Sequence, residues 1–296
     1  MQPHPDQLAA LAAIVDRGTF EAAARHLHVT TSAISQRIRA LESAAGQVLV
    51  QRATPCVATP AGEVLVRLAR QSALLHAEAD AALRHGEPSA VDLPLAVNAD
   101  SLATWFPEVI AEIGGWPGVT LRIDVEDQAF SADLLRRGAV LGAVTSDPVA
   151  VQGCSAEALG VLRYRPAASP AFAERWRRRR GYDWASMPLV IFNDKDRLQH
   201  DLLAARGLAA PPVVHRVPTS ADFHEAVCRG LGWGLIPLPH LAPDLASGRL
   251  VTLSARDRVD VTLHWQRWRL DSPTLDRLTD AVRRAARRTL DSARVP

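Results

Sequence analysis

The hydrophobic pattern of the first 46 residues predicts three short helices. A first helix is expected over residues 6–17, with Gly18 at its end and Thr19 as the N-cap of the second helix. The apolar stripes consist of Leu8, Leu11 and Ile14, then Phe20, Ala23, Ala24 and Leu27, and then Ile34, Ile38 and Leu41. A tight turn at His28 and Val29 joins the second and third helices, which gives the outline of a helix-turn-helix.

The third predicted helix has a polar outer face. A rotation of about 100° per residue places Ser32, Gln36 and Arg39 opposite the apolar stripe. Glutamine pairs with adenine and arginine with guanine, and hydroxyls reach phosphates or base edges. An ordinary three-helix packing unit would share this outline, so that alternative stays open. The predicted DNA-contacting residues of this region are Thr30, Thr31, Ser32, Ser35, Gln36, Arg37 and Arg39.

The next segment predicts a β-hairpin and then a long helix. Strands are expected at 48–51 and 56–58, which would make residues 1–59 a winged helix-turn-helix with Arg52 near a phosphate. Residues 60–83 contain no helix breaker after Gly62, and 60–90 are predicted as a linker and dimerisation segment. Packing of this helix on its own domain is the alternative. The predicted dimer seam consists of Leu65, Leu68, Ser72, Leu75, Ala79 and Ala82.

From residue 91 onward, apolar strands alternate with amphipathic helices. Strands are expected at 91–99, 119–127, 139–144, 188–193 and 261–268, with helices at 101–115, 131–138, 219–230 and 272–290. This order predicts an α/β fold with a parallel sheet. Ligands of such sheets bind at the carboxyl ends of the strands.

Polar residues follow several of these strands and are therefore candidate ligand-binding residues. Hydroxyls at helix starts beside several carboxylates suit a zwitterion with an extra positive charge, which describes a basic amino acid. Ordinary helix caps and turns are the alternative for each residue. The candidates are Asn98, Asp100, Ser101, Glu126, Asp127, Thr145, Ser146, Asn193, Asp194, Thr219 and Asp222.

Composition and charge narrow the possible functions. The formal net charge is only +2, and residues 1–90 contain eight arginines and eight acidic residues. A nonspecific electrostatic DNA binder is therefore disfavoured, and we expect Arg37, Arg39 and Arg52 to cluster away from Asp6, Asp16 and Glu21. We interpret the basic run 175–184 as a solvated face. The glycine-rich segment 230–234 is interpreted as a turn between a helix and a strand.

No motif indicates catalysis, a cofactor or a metal. The three cysteines, Cys56, Cys154 and Cys228, show neither a disulfide framework nor zinc-site spacing. No nucleophile–base motif is present, so we expect no enzyme activity. No run of about 18 apolar residues and no secretion signal is present, so a cytoplasmic location without membrane contact is expected.

The run AAARHLHVTTSAISQRIRALESAAGQVLVQR, followed by ATPAGEVLV, resembles the N-terminal domain of LysR-type transcriptional regulators. That family usually has Phe where Leu49 and Val50 stand here. The order of elements after residue 91 resembles the family's two-subdomain, periplasmic-binding-protein-like effector domain. The resemblance places this domain at 91–296, with subdomain I at 91–162 and 267–296 and subdomain II at 163–266.

The segments VNADSLATWF, GAVTS, GLGWG and HWQRWRLDSP are similar to the arginine/lysine-responsive, ArgP/LysG-like branch of that family. The resemblance implies a dimer or tetramer on a two-fold-related DNA site, with RNA polymerase as a possible partner. It also implies lysine or arginine as effector and control of an amino acid exporter gene. Regulation of another pathway, less specific DNA binding, a solute receptor and an enzyme on the same scaffold remain alternatives.

Overall fold

The computed structural model describes residues 2–83, 91–125 and 131–291. The N-terminal unit begins with helices α1 (Pro5–Arg17), α2 (Phe20–His26) and α3 (Thr31–Ala45). Gly18 ends α1 in the left-handed conformation at φ 76°, and the hydroxyls of Thr19 and Thr30 accept from backbone N–H groups of α2 and α3. The three predicted helices and the predicted caps are therefore present, with Thr30 rather than Thr31 capping α3.

A short hairpin and a long helix complete this unit. Strands β1 (Val50–Gln51) and β2 (Val57–Ala58) pair antiparallel and are shorter than predicted, and α4 spans Pro60–Leu83 as expected. A Cβ atom at Gly62 would lie 2.0 Å from the carbonyl oxygen of Leu49, so only glycine lets α4 pass this close to β1. The first turns of α4 thus belong to the N-terminal core.

The second unit opens with a parallel arrangement. It contains β3 (Val91–Val97), α5 (Ala99–Thr104), α6 (Pro107–Ile113), β4 (Val119–Val125), α7 (Ser131–Arg136) and β5 (Gly142–Thr145). Strand β3 pairs parallel with both β4 and β5. The single helix predicted over 101–115 is wrong, because Pro107 starts a separate helix where a continuing one would need its backbone N–H.

The remaining elements run across and behind this sheet. They are β6 (Cys154–Ala168), α8 (Pro170–Arg175), β7 (Arg177–Arg178), β8 (Gly181–Tyr182), β9 (Leu189–Ile191), α9 (Leu198–Ala205), β10 (Val214–Arg216), α10 (Ser220–Cys228), β11 (Gly234–Pro237), α11 (Leu238–Ser247), β12 (Val251–Thr252), β13 (Val259–Trp268) and α12 (Pro273–Thr289). The main sheet has the order β11-β6-β13-β5-β3-β4. It is mixed rather than parallel, because β13 pairs antiparallel with both β5 and β6.

Two long strands connect the two halves of this unit. The first half contains β3–β5, α5–α7 and α12, and the second half contains β7–β12, α8–α11 and the end of β6. Strand β13 pairs along its whole length with residues 154–164 of β6, with a register shift at Leu263/His264. From His264 onward β13 also pairs with β5. Residues 264–267 therefore lie between β5 and β6 in the sheet.

Helix α4 belongs to both units. Leu65, Val66 and Ala69 are buried in the N-terminal core, whereas Leu74 is buried in the core of the second unit. Near its C-terminal end, Glu78 accepts hydrogen bonds from the Ser272 hydroxyl at 2.6 Å and from the Thr274 N–H at 2.9 Å. Within the described ranges, no helix combines the length and the apolar character needed to cross a membrane.

Candidate functional site

The polar face of α3 is exposed as predicted. Ile34, Ile38 and Leu41 are fully buried, while Ser32, Gln36 and Arg39 on the opposite side are exposed. Thr30 and Thr31 are exposed at the start of this helix, and Ser35 is half-buried beside the face. The arrangement presents hydroxyl, amide and guanidinium groups together, which are the groups that read base edges in a major groove.

Two arginines flank this face in different ways. Arg37 donates to the carboxylate of Asp6 on α1 at 2.8 Å, so the expectation that Asp6 lies away from the arginines is wrong. This ion pair holds Arg37 against α1, and the negative charge of Asp6 offsets the positive charge of Arg37. Arg52 is exposed after β1, and its guanidinium stacks on the ring of Phe20 at 5.0 Å from the centroid.

The predicted dimer seam on α4 is divided by the fold. Leu65 is buried in the core of its own N-terminal unit, so it is not available to a second helix, and the prediction for this residue is wrong. Leu68 and Leu75 are each 38 % exposed, Ala79 and Ala82 are exposed, and Ser72 is half-buried. The apolar stripe from Leu68 onward is therefore the part that a partner helix can cover.

A cavity of about 240 Å³ lies between the two halves of the second unit. Asn98, Asp100 and Ser146 line it from the first half, and Tyr164 and Asn193 line it from the second. The other lining residues are Ala99, Val125, Phe192, Lys195, Asp196, Arg197, Leu198, Gln199, Phe223 and Leu235. The cavity thus combines carboxylates, amides and cationic groups with an apolar floor.

Asp100 links the two halves across this cavity. Its carboxylate accepts hydrogen bonds from the Tyr164 hydroxyl at 2.8 Å and the Ser220 hydroxyl at 3.1 Å, both from the second half. Burial raises the pKa of Asp100, and the two hydroxyl donors oppose that shift. A cation that reaches this carboxylate would offset the cost of burying its charge.

The loop before α9 forms the opposite wall. The side chain of Asn193 accepts from the backbone N–H groups of Lys195 and Asp196, and the Asp196 carboxylate accepts from those of Phe192 and Leu198. These bonds fix a tight loop in which Asn193, Lys195 and Asp196 line the cavity. The Gln199 Oε1 atom at the start of α9 is buried and has no hydrogen-bond partner among the described residues.

The structure places the eleven predicted ligand-binding residues in different positions. Asn98, Asp100, Ser146 and Asn193 line the cavity, and Ser101 and Thr145 are fully buried beside it. Asp194, Thr219 and Asp222 are not among the lining residues, and their role in ligand binding stays a prediction. Asp194 is exposed and pairs with Arg216, while Thr219 and Asp222 form the N-cap of α10 and do not line the cavity. Glu126 and Asp127 lie outside the described residues.

Several cavity residues were missed by the sequence analysis. Tyr164 lies within β6, whereas Lys195, Arg197 and Gln199 follow strand β9 by four residues or more. The search took only the first polar residues after each strand. A wider window around the segment 192–199, where charged residues follow an apolar strand and precede a helix, would have found three of them.

Two family profiles together match most of the chain. Residues 5–63 match the bacterial regulatory helix-turn-helix protein, lysR family, and residues 92–287 match the LysR substrate binding domain. The lysine export transcriptional regulatory protein LysG of Corynebacterium efficiens is 49 % identical over 286 residues, which cover 96 % of this chain and 98 % of that protein. The regulator ArgP of Pseudomonas aeruginosa PAO1 is 37 % identical over 280 residues, 92 % of each chain.

Solved structures agree over nearly the full length. The crystal structure of ArgP from Mycobacterium tuberculosis shares 44 % identity, with a TM-score of 0.86, covering 99 % of this chain and 100 % of that one. The full-length LysG from Corynebacterium glutamicum with bound effector Arg also shares 44 % identity, with a TM-score of 0.79, covering 97 % and 99 %. The element order and both units are therefore those of full-length proteins of this kind.

Proposed function

Because this chain belongs to the LysR family of DNA-binding transcriptional regulators, we propose that it senses a basic amino acid, lysine or arginine, and controls a gene for amino acid export. In this proposal α3 and the wing contact DNA, and the cavity between the two halves of the effector domain binds the amino acid. The division of that domain into subdomains I and II, joined by β6 and β13, is part of the same proposal.

The observation that carries the ligand assignment is the position of Asp100. Among the described residues, the side chains that donate hydrogen bonds to its carboxylate are the Tyr164 and Ser220 hydroxyls, so a guanidinium or ammonium group would supply a full positive charge beside it. Lys195 and Arg197 line the same cavity and provide positive charge for an α-carboxylate. The cavity volume of about 240 Å³ lies below the roughly 300–1,000 Å³ of pockets for drug-sized ligands. It therefore suits a ligand of amino-acid size.

The names of the relatives support the choice of effector and target. LysG proteins are described as lysine export regulators, and one LysG structure contains Arg as effector. We propose the same class of effector and target gene here. We also propose that two or four chains associate through the exposed part of the α4 stripe and bind a two-fold-related DNA site. Effector binding would then change the bend of this DNA and the access of RNA polymerase to it.

Calorimetry of the full-length protein tests the proposed effector. Lysine and arginine are compared with norleucine and citrulline, which keep the shape but lack the side-chain positive charge. We expect the charged member of each pair to bind at least about tenfold more tightly, which corresponds to about 1.4 kcal/mol, because only it pairs with Asp100. Equal binding within each pair would contradict the proposal, as would a response to another class of amino acid alone.

A gel shift with the DNA upstream of the regulated gene tests the regulatory part. We expect the mobility or the affinity of the complex to change when the effector is added, because a ligand shifts a two-state protein by its different affinities for the two states. Competition by unrelated DNA at equal strength would instead indicate a less specific DNA-binding protein.

A further inference from the structure

Two helices of the second half bring three potential metal ligands together. His224 and Cys228 are four residues apart on α10, so they share one face of that helix. Asp244 on the neighbouring α11 points at both of them. The Asp244 Oδ2 atom lies 2.5 Å from His224 Nε2 and 4.0 Å from Cys228 Sγ, and the sulfur lies 3.8 Å from His224 Nε2.

These separations are close to those of a tetrahedral site. Zinc–ligand distances of about 2.0–2.3 Å imply ligand–ligand edges of roughly 3.3–3.6 Å. The two edges that involve sulfur exceed this range by a few tenths of an ångström. The nitrogen–oxygen edge is shorter, as expected when a proton occupies the position between these two atoms. When a cation binds Nε2, the proton of the neutral imidazole moves to Nδ1, and the ligand atoms shift by about 1 Å or less to reach the tetrahedral edges.

The surroundings of the cluster also suit a divalent cation. Asp244 is buried, and its other oxygen lies 3.3 Å from Arg249, which leaves Oδ2 for the cluster and fixes the carboxylate plane. A thiolate, a carboxylate and a neutral imidazole around a divalent ion sum to zero charge, so such an ion removes the electrostatic cost of ionising Cys228.

We propose that His224, Cys228 and Asp244 form a binding site for a borderline transition-metal cation, with Zn²⁺ as the reference ion and a fourth coordination position left open. The mixed nitrogen, sulfur and oxygen donor set is typical of zinc rather than of magnesium or calcium. The site departs from the expectation that this chain contains no metal ligands, because the sequence search compared cysteines with one another and overlooked a histidine one helical turn before Cys228.

The site is separate from the effector cavity but lies on an element that reaches it. Ser220, at the opposite end of α10, donates to Asp100 in the cavity. Helix α11 also contacts the other half through His240, whose Nε2 lies 2.9 Å from the carbonyl oxygen of Ala103. A bound cation would join α10 to α11 beside both of these links. The existence of the site does not depend on which effector the cavity binds.

Cobalt titration of the metal-free, full-length protein tests the proposal directly. We expect one equivalent of Co²⁺ to produce tetrahedral d–d bands and a thiolate-to-cobalt charge-transfer band. Zn²⁺ should displace the cobalt and abolish both signals. Binding should also release about one proton, from the Cys228 thiol, which a pH indicator in weakly buffered solution detects. The absence of these bands with the folded wild-type protein would overturn the proposal.

Matched variants assign the signal to the three residues. Cys228→Ser should remove the charge-transfer band. Asp244→Asn or His224→Gln should weaken cobalt binding at least about tenfold, because metal affinity often falls this much even when the changed residue only hydrogen-bonds to a ligand. Cys56→Ser removes a thiol from the N-terminal unit and should leave the spectrum unchanged. If the band persists in folded Cys228→Ser protein, or disappears in folded Cys56→Ser protein, the assignment is wrong.

Discussion

At the scale of single residues, ionisation of Asp100 in its partly buried position costs free energy, which a cationic ligand can offset. Its carboxyl is held between Tyr164 and Ser220, and burial raises its pKa above the ordinary value of 3.8. The folded protein therefore holds this proton more tightly than the unfolded chain does. Stability should fall as the pH rises from about that ordinary value through the raised one, and above both values the full cost of ionisation is present.

The Asp100→Asn variant separates the effect of the carboxylate on stability from its effect on ligand binding. Asparagine keeps the size and an acceptor oxygen for the two hydroxyls but cannot ionise. We expect thermal unfolding without effector to show an equal or higher Tm at pH 7 and a weaker pH dependence above pH 4. Calorimetry should show that lysine or arginine binds at least about tenfold more weakly, since the pairing with the cationic end is lost.

Asp194→Asn is the control for this prediction. Asp194 was also expected to bind the ligand, but its exposed carboxylate pairs with Arg216 outside the cavity. The control should leave the affinity for lysine or arginine nearly unchanged. A loss of affinity in Asp194→Asn equal to that in Asp100→Asn would show that the loss reflects general negative charge and not the position of Asp100.

At the scale of elements, α3 has one buried face, which packs in the N-terminal core, and one exposed face with Ser32, Gln36 and Arg39, called the reading face, which is available to DNA. Arg39 is exposed on the reading face, whereas Arg37 is held by Asp6. We expect Arg39→Ala to weaken specific DNA binding by about 1–3 kcal/mol, the range for a lost bidentate contact with a base. Fluorescence anisotropy with operator and unrelated DNA measures both affinities.

Arg39→Lys distinguishes a base contact from a phosphate contact. Lysine keeps the positive charge but lacks the planar pair of donors that guanine requires. The lysine variant should therefore retain nonspecific affinity and lose sequence preference. Equal weakening of specific and nonspecific binding by Arg39→Ala, with full recovery in Arg39→Lys, would instead assign Arg39 to the DNA backbone.

The comparison of pattern and structure shows which elements a sequence specifies locally. Helices α1 to α4 were predicted from their apolar stripes, together with the capping residues Thr19 and Thr30 before α2 and α3 and with Gly18 and Gly46 at the ends of α1 and α3. The mixed character of the main sheet was not predicted, because β6 and β13 owe their pairing to residues about 100 positions apart. Strand partners at such separations leave no periodic signal in either segment.

The same reason limits prediction of the ligand cavity. Asn98, Asp100, Ser146 and Asn193 were found because the ends of strands mark one edge of a sheet. Tyr164 reaches the cavity from the interior of the crossing strand β6, which no strand-end rule selects. Thr219 and Asp222 cap α10 and show a second limit, since the residue types that cap a helix are also those that bind zwitterions.

At the scale of the whole molecule, α4 lies between the DNA-binding unit and the effector domain, and charged contacts connect all three. Arg70 of α4 donates to Asp16 of α1 and to the carbonyl oxygen of Gly138 in the effector domain. Arg122 of β4 also lies 3.4 Å from Asp16. A Cβ atom at Gly138 would lie 2.4 Å from Arg67 Cβ, so the backbone there packs directly on α4.

Asp16 is thus the residue of the DNA-binding unit that meets positive charge from both other parts. We expect Asp16→Asn to leave effector affinity unchanged and to reduce the factor by which the effector changes DNA affinity. Coupling free energies of this kind are typically about 1–3 kcal/mol, and they are equal in both directions. The measurement is a four-part cycle: DNA affinity with and without effector, and effector affinity with and without DNA.

Glu21→Gln provides a matched control, because Glu21 is exposed on α2 and its change also removes one negative charge from the DNA-binding unit. Both variants should bind DNA slightly more tightly through reduced repulsion, but only Asp16→Asn should lower the coupling. If the coupling is the same in wild type, Asp16→Asn and Glu21→Gln, the ion pairs around α4 do not transmit effector binding. The signal would then have to pass through other contacts, either within one chain, as between Glu78 and Ser272, or between chains along the exposed stripe from Leu68 to Ala82.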